Sequence, residues 1–230
     1  MQKVAVIGLG RFGMALARSL AASGVQVIAI DRSPQLVAEV ADEVDVAVRL
    51  DSTDQQALVS QDIDKVDICV VSIGENFEAS LLTTAIVRRL GVPRVICRAQ
   101  TRIHAEIFRQ IGADEVIQPE QEAGLHLARL IANPQVLDAH TISAGYSLLE
   151  LRAPDRFIGK SIRHLALRQE YDVNLLIIRR EKPQPEVGEG ESAPEPVFEM
   201  RIPKADDLVQ AGDILVVVGS DEALERLPRE

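Results

Sequence analysis

Short apolar runs, rich in β-branched residues, recur through the first half of the chain with little polar alternation. Runs of this kind are typical of parallel strands that are covered on both faces. The predicted strands are Val4–Ile7, Val25–Ile30, Val46–Leu50, Ile68–Ile73, Val95–Cys97 and Glu115–Ile117.

Between these strands, apolar residues recur at spacings of three and four, which indicates helices with one buried face. Gly24, Gly91 and Gly112 follow three of these stretches, and glycine is favoured just past helix ends. The predicted helices are Phe12–Ala22, Leu36–Val40, Phe77–Leu90, Ile103–Ile111 and Gln121–Ile131. Because strand and helix alternate, the sequence predicts an α/β fold, a Rossmann-like doubly wound parallel sheet.

The alternation stops near Asn133-Pro134, where proline disfavours a continuing helix. We therefore expect a nucleotide-binding Rossmann domain over residues 1–136 and a small α+β domain over 137–230. Residues 183–196, rich in proline and glutamate, predict an exposed loop in the second domain. The second domain's predicted elements are strands Ser147–Leu151, Val173–Arg179, Val197–Ile202 and Ile214–Val218 and a helix Ile162–Leu167.

The charge and composition of the chain exclude several classes of binding partner. The formal net charge is -10 and the isoelectric point is about 5.0, which argues against binding nucleic acid or an anionic membrane directly. No apolar run is long enough to span a bilayer. We expect a cytoplasmic protein that reaches a membrane only through a protein partner. Cys69 and Cys97 lie inside apolar runs and are predicted to be reduced core residues.

The strongest chemical motif is Gly8-x-Gly10-x-x-Gly13, which follows the first strand and opens the first helix. Gly8 permits a tight turn, Gly10 lets the backbone approach a phosphate, and Gly13 lets helix and strand lie close together. The helix N-terminus offers free N–H groups and a positive dipole end to phosphates. Asp31, at the end of the second strand, is suited to accept hydrogen bonds from ribose hydroxyls. Glycines that serve only a tight turn are the alternative.

Further polar residues follow the other strands, at the sheet edge where such folds bind ligands. Asp51-Ser52-Thr53 follow the third strand, Ser72–Asn76 the fourth, and Arg98 the fifth. Arg11 lies in the first helical turn, where a cation opposes the helix dipole and suggests a nearby anion. Helix capping by Thr53 and Asn76 and a surface ion pair at Arg98 are the alternatives.

No catalytic constellation accompanies this motif. His104, His126, His140 and His164 have no metal-ligand spacing, and the glycine loop does not end in the Lys-Ser/Thr of a Walker motif. A binding site without a catalytic set favours a sensor. Two alternatives stay open: an NAD(H)-dependent oxidoreductase, and a nucleotide-binding domain that serves only assembly.

The ordered combination of several segments is more specific than the glycine loop. These segments are Val4–Gly13, Asp51–Asp54, Ser72–Asn76, Arg98–Gln100, Ile111–Asp114, Pro119-Glu120 and Gly212-Asp213. With them the chain resembles the RCK proteins, specifically the peripheral Ktr/Trk subunits of bacterial potassium transporters, with a TrkA-N-like and a TrkA-C-like domain.

The resemblance implies a cytosolic regulatory subunit, not an enzyme. A dimer would assemble into an octameric ring that binds ATP or ADP and gates a membrane potassium channel subunit. Arg11 and Arg98 would lie near the phosphates, and Glu120 near Mg²⁺ or another cation bound with ATP. In some relatives the second domain binds cyclic di-AMP, which would place Val173 and Asn174 near that ligand.

Residue patterns and resemblance together define one set of candidate nucleotide-binding residues. They are Gly8, Gly10, Arg11, Phe12, Gly13, Asp31, Arg32, Asp51, Ser52, Thr53, Ser72, Ile73, Gly74, Asn76, Arg98 and Glu120.

Overall fold

The computed structural model describes residues 2–182 and 197–228. The predicted loop at residues 183–196 lies outside the described residues. By its internal contacts the chain divides into two compact units, Met1–Glu122 and Ala123–Glu230. This division falls within a helix, earlier in the chain than the boundary expected between residues 136 and 137. In the described part of the chain, no helix combines the length and apolarity needed to cross a bilayer.

The first unit contains one six-stranded parallel sheet with interleaved helices. The strands are β1 Lys3–Ile7, β2 Gln26–Asp31, β3 Val46–Arg49, β4 Ile68–Val71, β5 Arg94–Arg98 and β6 Glu115–Ile117. Their order is β3-β2-β1-β4-β5-β6, and every neighbouring pair is parallel. The helices are α1 Arg11–Ala22, α2 Pro34–Val40, α3 Gln55–Ser60, α4 Phe77–Arg89, α5 Arg102–Ile111 and α6 Pro119–Ala132. The predicted doubly wound α/β fold is confirmed.

Strand β1 shows why the apolar runs lack polar alternation. Val4 and Val6 pack into a buried cluster on one face of the sheet, whereas Ala5 and Ile7 pack into a second cluster on the other face. Since successive side chains point to opposite faces of a strand, both sets must be apolar when helices cover both faces.

Side chains cap several of the helices. Asn76 begins α4, and its Oδ1 accepts a hydrogen bond from the Ala79 N–H at 2.9 Å, as the capping alternative predicted. The cap predicted at Thr53 is wrong, because Asp54 is the N-cap of α3 and its carboxylate accepts from the N–H groups of Gln56 and Ala57. Helix α3 is not among the predicted helical segments, although the capping alternative at Thr53 implies a helix at this point.

The second unit is built on a five-stranded antiparallel sheet with short helices, which confirms the α+β prediction. The strands are β7 Val136–Ser143, β8 Tyr146–Arg152, β9 Val173–Glu181, β10 Phe198–Arg201 and β11 Ile214–Ser220, in the order β10-β9-β11-β8-β7. The helices are α7 Ile162–Leu165, α8 Leu167–Glu170 and α9 Asp221–Glu225. The predicted helix at Ile162–Leu167 divides at Ala166, which has a left-handed φ of 44°.

Two elements of the second unit have no counterpart in the prediction, β7 and α9. Ala139 is the only buried residue of β7, and the apolar residues of this strand do not alternate regularly with polar ones. Helix α9 is a short helix begun by the Ser220 side chain, which accepts a hydrogen bond from the Ala223 N–H.

Candidate functional site

A cleft of about 470 Å³ opens at the carboxyl ends of the strands of the first unit. It lies beside β1 and β4, where the strand order reverses, which is the usual ligand position in open α/β sheets. The candidate residues that line it are Gly8, Gly10, Arg11, Phe12, Asp31, Arg32, Ser52, Ser72, Ile73, Gly74, Asn76, Arg98 and Glu120. Three further candidates, Gly13, Asp51 and Thr53, do not line it.

Steric constraints explain two of the three loop glycines. Gly8 has a φ of 97°, and a Cβ there would lie 2.9 Å from the Ile73 backbone nitrogen. A Cβ on Gly13 would lie 1.8 Å from the carbonyl oxygen of Gly8, so Gly13 permits α1 to pack against the loop. A Cβ on Gly10 would meet no atom within 4 Å, so its small size matters only for what enters the cleft.

The N-terminus of α1 is available to an anion. Gly10 is its N-cap, no side chain caps it, and its first turn contains no acidic residue. The first N–H groups of a helix lack intrahelical partners and lie at the positive end of its dipole. Arg11, exposed in the same turn, adds a full positive charge beside them. This end of the cleft is therefore suited to phosphate.

Asp31, at the end of β2, holds the glycine loop. Its Oδ2 accepts a hydrogen bond from the Leu9 N–H at 2.6 Å, and its Oδ1 accepts from the Ser33 N–H at 2.7 Å. These bonds fix the carboxylate, and each oxygen retains a lone pair for a ligand hydroxyl.

Arg98 is the most enclosed cation of the cleft, with a side chain 14% exposed. Its Nη2 donates to Glu120 Oε1 at 2.5 Å, while its Nε–H is buried without a partner among the described residues. A Cβ on Gly74 would lie 2.3 Å from Nη1, so glycine at that position makes room for the guanidinium. The hydrogen bond from Arg98, with the charges of Arg98 and Arg11, lowers the pKa of Glu120.

Of the segment Asp51-Ser52-Thr53 after β3, only Ser52 lines the cleft. Ser52 is buried in the cleft wall, and its hydroxyl lies 2.8 Å from the Thr83 hydroxyl of α4. Thr53 donates from its hydroxyl to Asp51 Oδ1 at 2.7 Å, which lowers the pKa of Asp51. Asp51 also lies 3.7 Å from the Arg32 guanidinium. Asp51 and Thr53 thus shape the loop around Ser52.

The cleft also contains residues that are not among the candidates. They are Ile7, Ile30, Leu36, Leu50, Glu75, Ala79 and Gln100. The apolar residues of this set form a hydrophobic part of the cleft lining, which is suited to contact the planar base of a nucleotide. Glu75 lies within the segment Ser72–Asn76 that the sequence predicted at this edge. Leu50 and Gln100 could have been found from their positions just after β3 and β5, whereas Leu36 and Ala79 lie on helices and need the fold.

The remaining titratable candidates lie apart from the cleft. The ring of His104 stacks on the ring of Phe77, with 3.9 Å between the ring centroids. In the second unit, His126 and His140 each lie near a different carboxylate oxygen of Asp138. Both cysteines are free and buried, as predicted, and burial raises the pKa of Cys97 to about 11. In residues 2–182 and 197–228, no group of three or more His, Cys, Asp or Glu could hold a metal ion.

Comparison with known proteins extends these observations. Residues 4–119 match the TrkA-N domain family. The chain is 35% identical over 228 residues to the Ktr system potassium uptake protein C of Bacillus subtilis (strain 168), which covers 99% of this chain and 96% of that protein. It is 32% identical to the Ktr system potassium uptake protein A of Vibrio alginolyticus, over 97% of this chain and 94% of that protein.

Solved structures support the fold. The GsuK RCK domain is similar with a TM-score of 0.53 at 24% identity, over 97% of this chain and 45% of that chain. The TrkA-N domain of the inner membrane protein ybaL from Escherichia coli is similar with a TM-score of 0.51 at 21% identity, over 56% of this chain and 96% of that chain. This chain thus spans less than half of the GsuK chain.

The TrkA-N match covers half of the chain, and the likeness to the two Ktr proteins covers nearly all of it. The chain therefore belongs to the RCK/TrkA-type family that includes the Ktr-system potassium uptake proteins.

Proposed function

We propose that the chain is a nucleotide-sensing regulatory subunit of a potassium uptake system, which binds ATP or ADP in the cleft of its first unit. The observation that carries the proposal is the cationic lining of this cleft, to which the uncapped N-terminus of α1, Arg11 and Arg98 all contribute. The potassium uptake context comes from the similarity to Ktr protein C along the whole chain.

The geometry suits a nucleotide lying across the sheet edge. Asp31 would accept hydrogen bonds from the ribose hydroxyls, and its charge disfavours a 2′-phosphate. The apolar wall that includes Leu50 and Leu36 would contact the base, and the phosphates would extend over Gly10 toward Arg11 and Arg98. The buried, unpartnered Nε–H of Arg98 is a donor that a phosphate oxygen would satisfy.

A divalent cation such as Mg²⁺ fits this site only together with the phosphates. Glu120 is the acidic residue nearest to Arg98 in the cleft, and the described residues contain no larger metal-binding group. Mg²⁺ is commonly held by one or two carboxylates plus phosphate oxygens and waters. Glu120 would supply the carboxylate, and the cation would offset the phosphate charge.

The proposed role is regulation of a membrane subunit, not catalysis. Histidine, lysine, tyrosine and cysteine are absent from the described residues that line the cleft, and its carboxylates Asp31 and Glu120 are engaged by backbone N–H groups and by Arg98. We propose a cytoplasmic protein whose dimers assemble into an octameric ring on a membrane potassium channel subunit. Bound nucleotide would shift the ring between two states for which it has different affinity.

A second ligand, cyclic di-AMP, is proposed for the second unit. Along β9, Asn174 and Leu176 are exposed, whereas Val173 is buried against Gly219. The exposed face of β9 would therefore contact such a ligand, and Val173 would support it from within the core.

Titration calorimetry of the purified protein with ATP, ADP, NAD and NADH tests the nucleotide proposal. We expect ATP and ADP to bind, and Arg11→Ala to weaken ATP binding by about tenfold or more through loss of a charge-assisted contact. Arg102→Ala removes an exposed arginine outside the cleft and is the matched control. Preference for NAD together with turnover of a hydroxylated substrate would favour the oxidoreductase alternative instead.

Potassium uptake is tested separately in cells that lack their own uptake systems. Co-expression with the membrane subunit should restore growth at low potassium, and the Arg11→Ala variant should restore it poorly. Native mass spectrometry with and without ATP measures the number of subunits in the assembly. Growth that is independent of the chain would contradict the regulatory role.

A further inference from the structure

Arg98 and Glu120 form the one ion pair of the described cleft that lies where a phosphate would bind. The guanidinium is mostly enclosed, at 14% exposure, and Gly74 packs against its Nη1 side. Of its donors, Nη2 is occupied by Glu120 and Nε–H has no partner among the described residues. A phosphate that reaches this guanidinium therefore meets a carboxylate already bound to it.

Glu120 does not depend on Arg98 for its own solvation. Its side chain is 60% exposed, so water would hydrate the carboxylate after separation. It also lies in the first turn of α6, where the helix dipole favours a negative charge. Moving Glu120 away from Arg98 is therefore a small rearrangement, whereas Arg98 is mostly enclosed and lies close against Gly74.

We propose that Glu120 is a specificity-determining residue, whose carboxylate competes with ligand phosphate for Arg98 and thereby lowers the preference of the cleft for ligands with an extended phosphate chain. This inference rests on the proposed function, because it assumes that nucleotide phosphates enter the cleft. A single phosphate bound at the α1 N-terminus leaves the Arg98–Glu120 pair in place. A chain of phosphates that extends to Arg98 carries more negative charge than one carboxylate and displaces it.

Two different outcomes for Glu120 follow from the phosphate chain length. With a monophosphate, the carboxylate remains on Arg98 and neutralises it. With a triphosphate, the carboxylate is released at the start of α6 and becomes available to a cation that accompanies the phosphates. The same residue would thus weaken the binding of long ligands, which must displace it, and leave the binding of short ones nearly unchanged.

The test measures ATP and AMP binding by calorimetry to the full chain, with a chelator present so that no divalent cation bridges Glu120 to phosphate. Glu120→Gln removes the competing charge, and we expect it to strengthen ATP binding by about three- to tenfold, as for loss of one partly exposed charge interaction. AMP binding should change by less than about twofold. Glu75→Gln is the matched control, because Glu75 also lines the cleft but has no ion pair with Arg98.

Double substitution separates competition from a general charge effect. In an Arg98→Gln background, where no cation remains to compete for, Glu120→Gln should no longer favour ATP over AMP. Titration with inorganic tripolyphosphate and orthophosphate gives a second measurement without the adenosine. An equal gain for ATP and AMP, or an equal gain for Glu120→Gln and Glu75→Gln, overturns this inference and leaves the proposed function standing. Failure of the unaltered chain and the Glu120→Gln variant to bind ATP overturns both.

Discussion

The hydroxyl of Ser72 donates a hydrogen bond to the carbonyl oxygen of Gly8 at 2.5 Å, and it also lies 3.2 Å from the carbonyl oxygen of Ile7. Ser72 follows β4, and Gly8 follows β1, so this contact joins the two neighbouring strand ends that border the cleft. The glycine loop is thus held from one side by Ser72 and from the other by Asp31, whose carboxylate binds the Leu9 N–H.

Removing the Ser72 hydroxyl should destabilise the first unit and loosen the loop. Ser72→Ala leaves the buried Gly8 carbonyl without this donor, which costs about 1 to 3 kcal/mol of unfolding free energy. Chemical denaturation followed by circular dichroism measures the loss. Ser60→Ala, which removes an exposed hydroxyl at the end of α3, is the control and should change stability by less than about 0.5 kcal/mol. Equal stability of the Ser72→Ala variant and the unaltered chain would show that the hydrogen bond from Ser72 to the Gly8 carbonyl does not stabilise the first unit.

Gly10 and Gly13 should respond to alanine in opposite ways. Gly13→Ala places a Cβ against the Gly8 carbonyl and should cost about 1 to 3 kcal/mol of stability, or more if the backbone cannot shift. Gly10→Ala meets no protein atom and should leave the melting temperature nearly unchanged, yet the methyl group would obstruct phosphate at the α1 N-terminus. Thermal melts and ATP titration of both variants separate fold from binding. A Gly10→Ala variant with undiminished ATP affinity would contradict phosphate binding over this residue.

The second unit depends on a buried ion pair. Asp213 is fully buried, and the Arg180 guanidinium donates to both of its oxygens, at 2.7 and 2.8 Å. Arg180→Ala leaves that carboxylate uncompensated and should cost about 3 to 5 kcal/mol, enough to unfold the unit partly at room temperature. Arg163→Ala breaks an exposed Arg–Asp pair in the same unit and should cost less than about 1 kcal/mol. Hydrogen exchange of β9 and β11 distinguishes the two, and similar exchange in both variants would be inconsistent with this view.

Alkaline pH should destabilise the first unit through its cysteines. Burial raises the pKa of Cys97 from 9.0 to about 11, and burial also raises the pKa of Cys69. The unfolded chain therefore loses these protons at lower pH than the folded chain, so stability is complete below about pH 9 and falls as the pH rises toward 11.

Denaturation at several pH values measures this effect. For Cys97 the loss should approach about 2 kcal/mol near pH 11. A Cys97→Ala variant starts from lower stability and should show a smaller decline with pH, while native thiols should react slowly with alkylating reagents at pH 8. Identical pH profiles for the two proteins would rule out the Cys97 contribution.

Much of the first unit follows from local sequence signals. Each predicted strand and helix of the α/β sheet is present, because burial on both faces demands apolar residues at the buried positions of β1, β2 and β4. The glycine loop is equally local, since a left-handed φ at Gly8 and the close approach at Gly13 select glycine whatever the rest of the chain does. Strand β7 was not predicted because its apolar residues do not follow the alternation that indicates a strand.

Contacts between residues that are far apart in the chain were decided only by the tertiary structure. The approach of Gly74 to Arg98 depends on the register between β4 and β5, and the pairing of Arg98 with Glu120 depends on where α6 begins after β6. By itself the sequence determined a doubly wound sheet and a phosphate-type loop, because propensity, periodicity and steric demands on glycine act over a few residues. Which arginine is enclosed, which carboxylate covers it and which donor is left unpaired depend on strand order and packing distances.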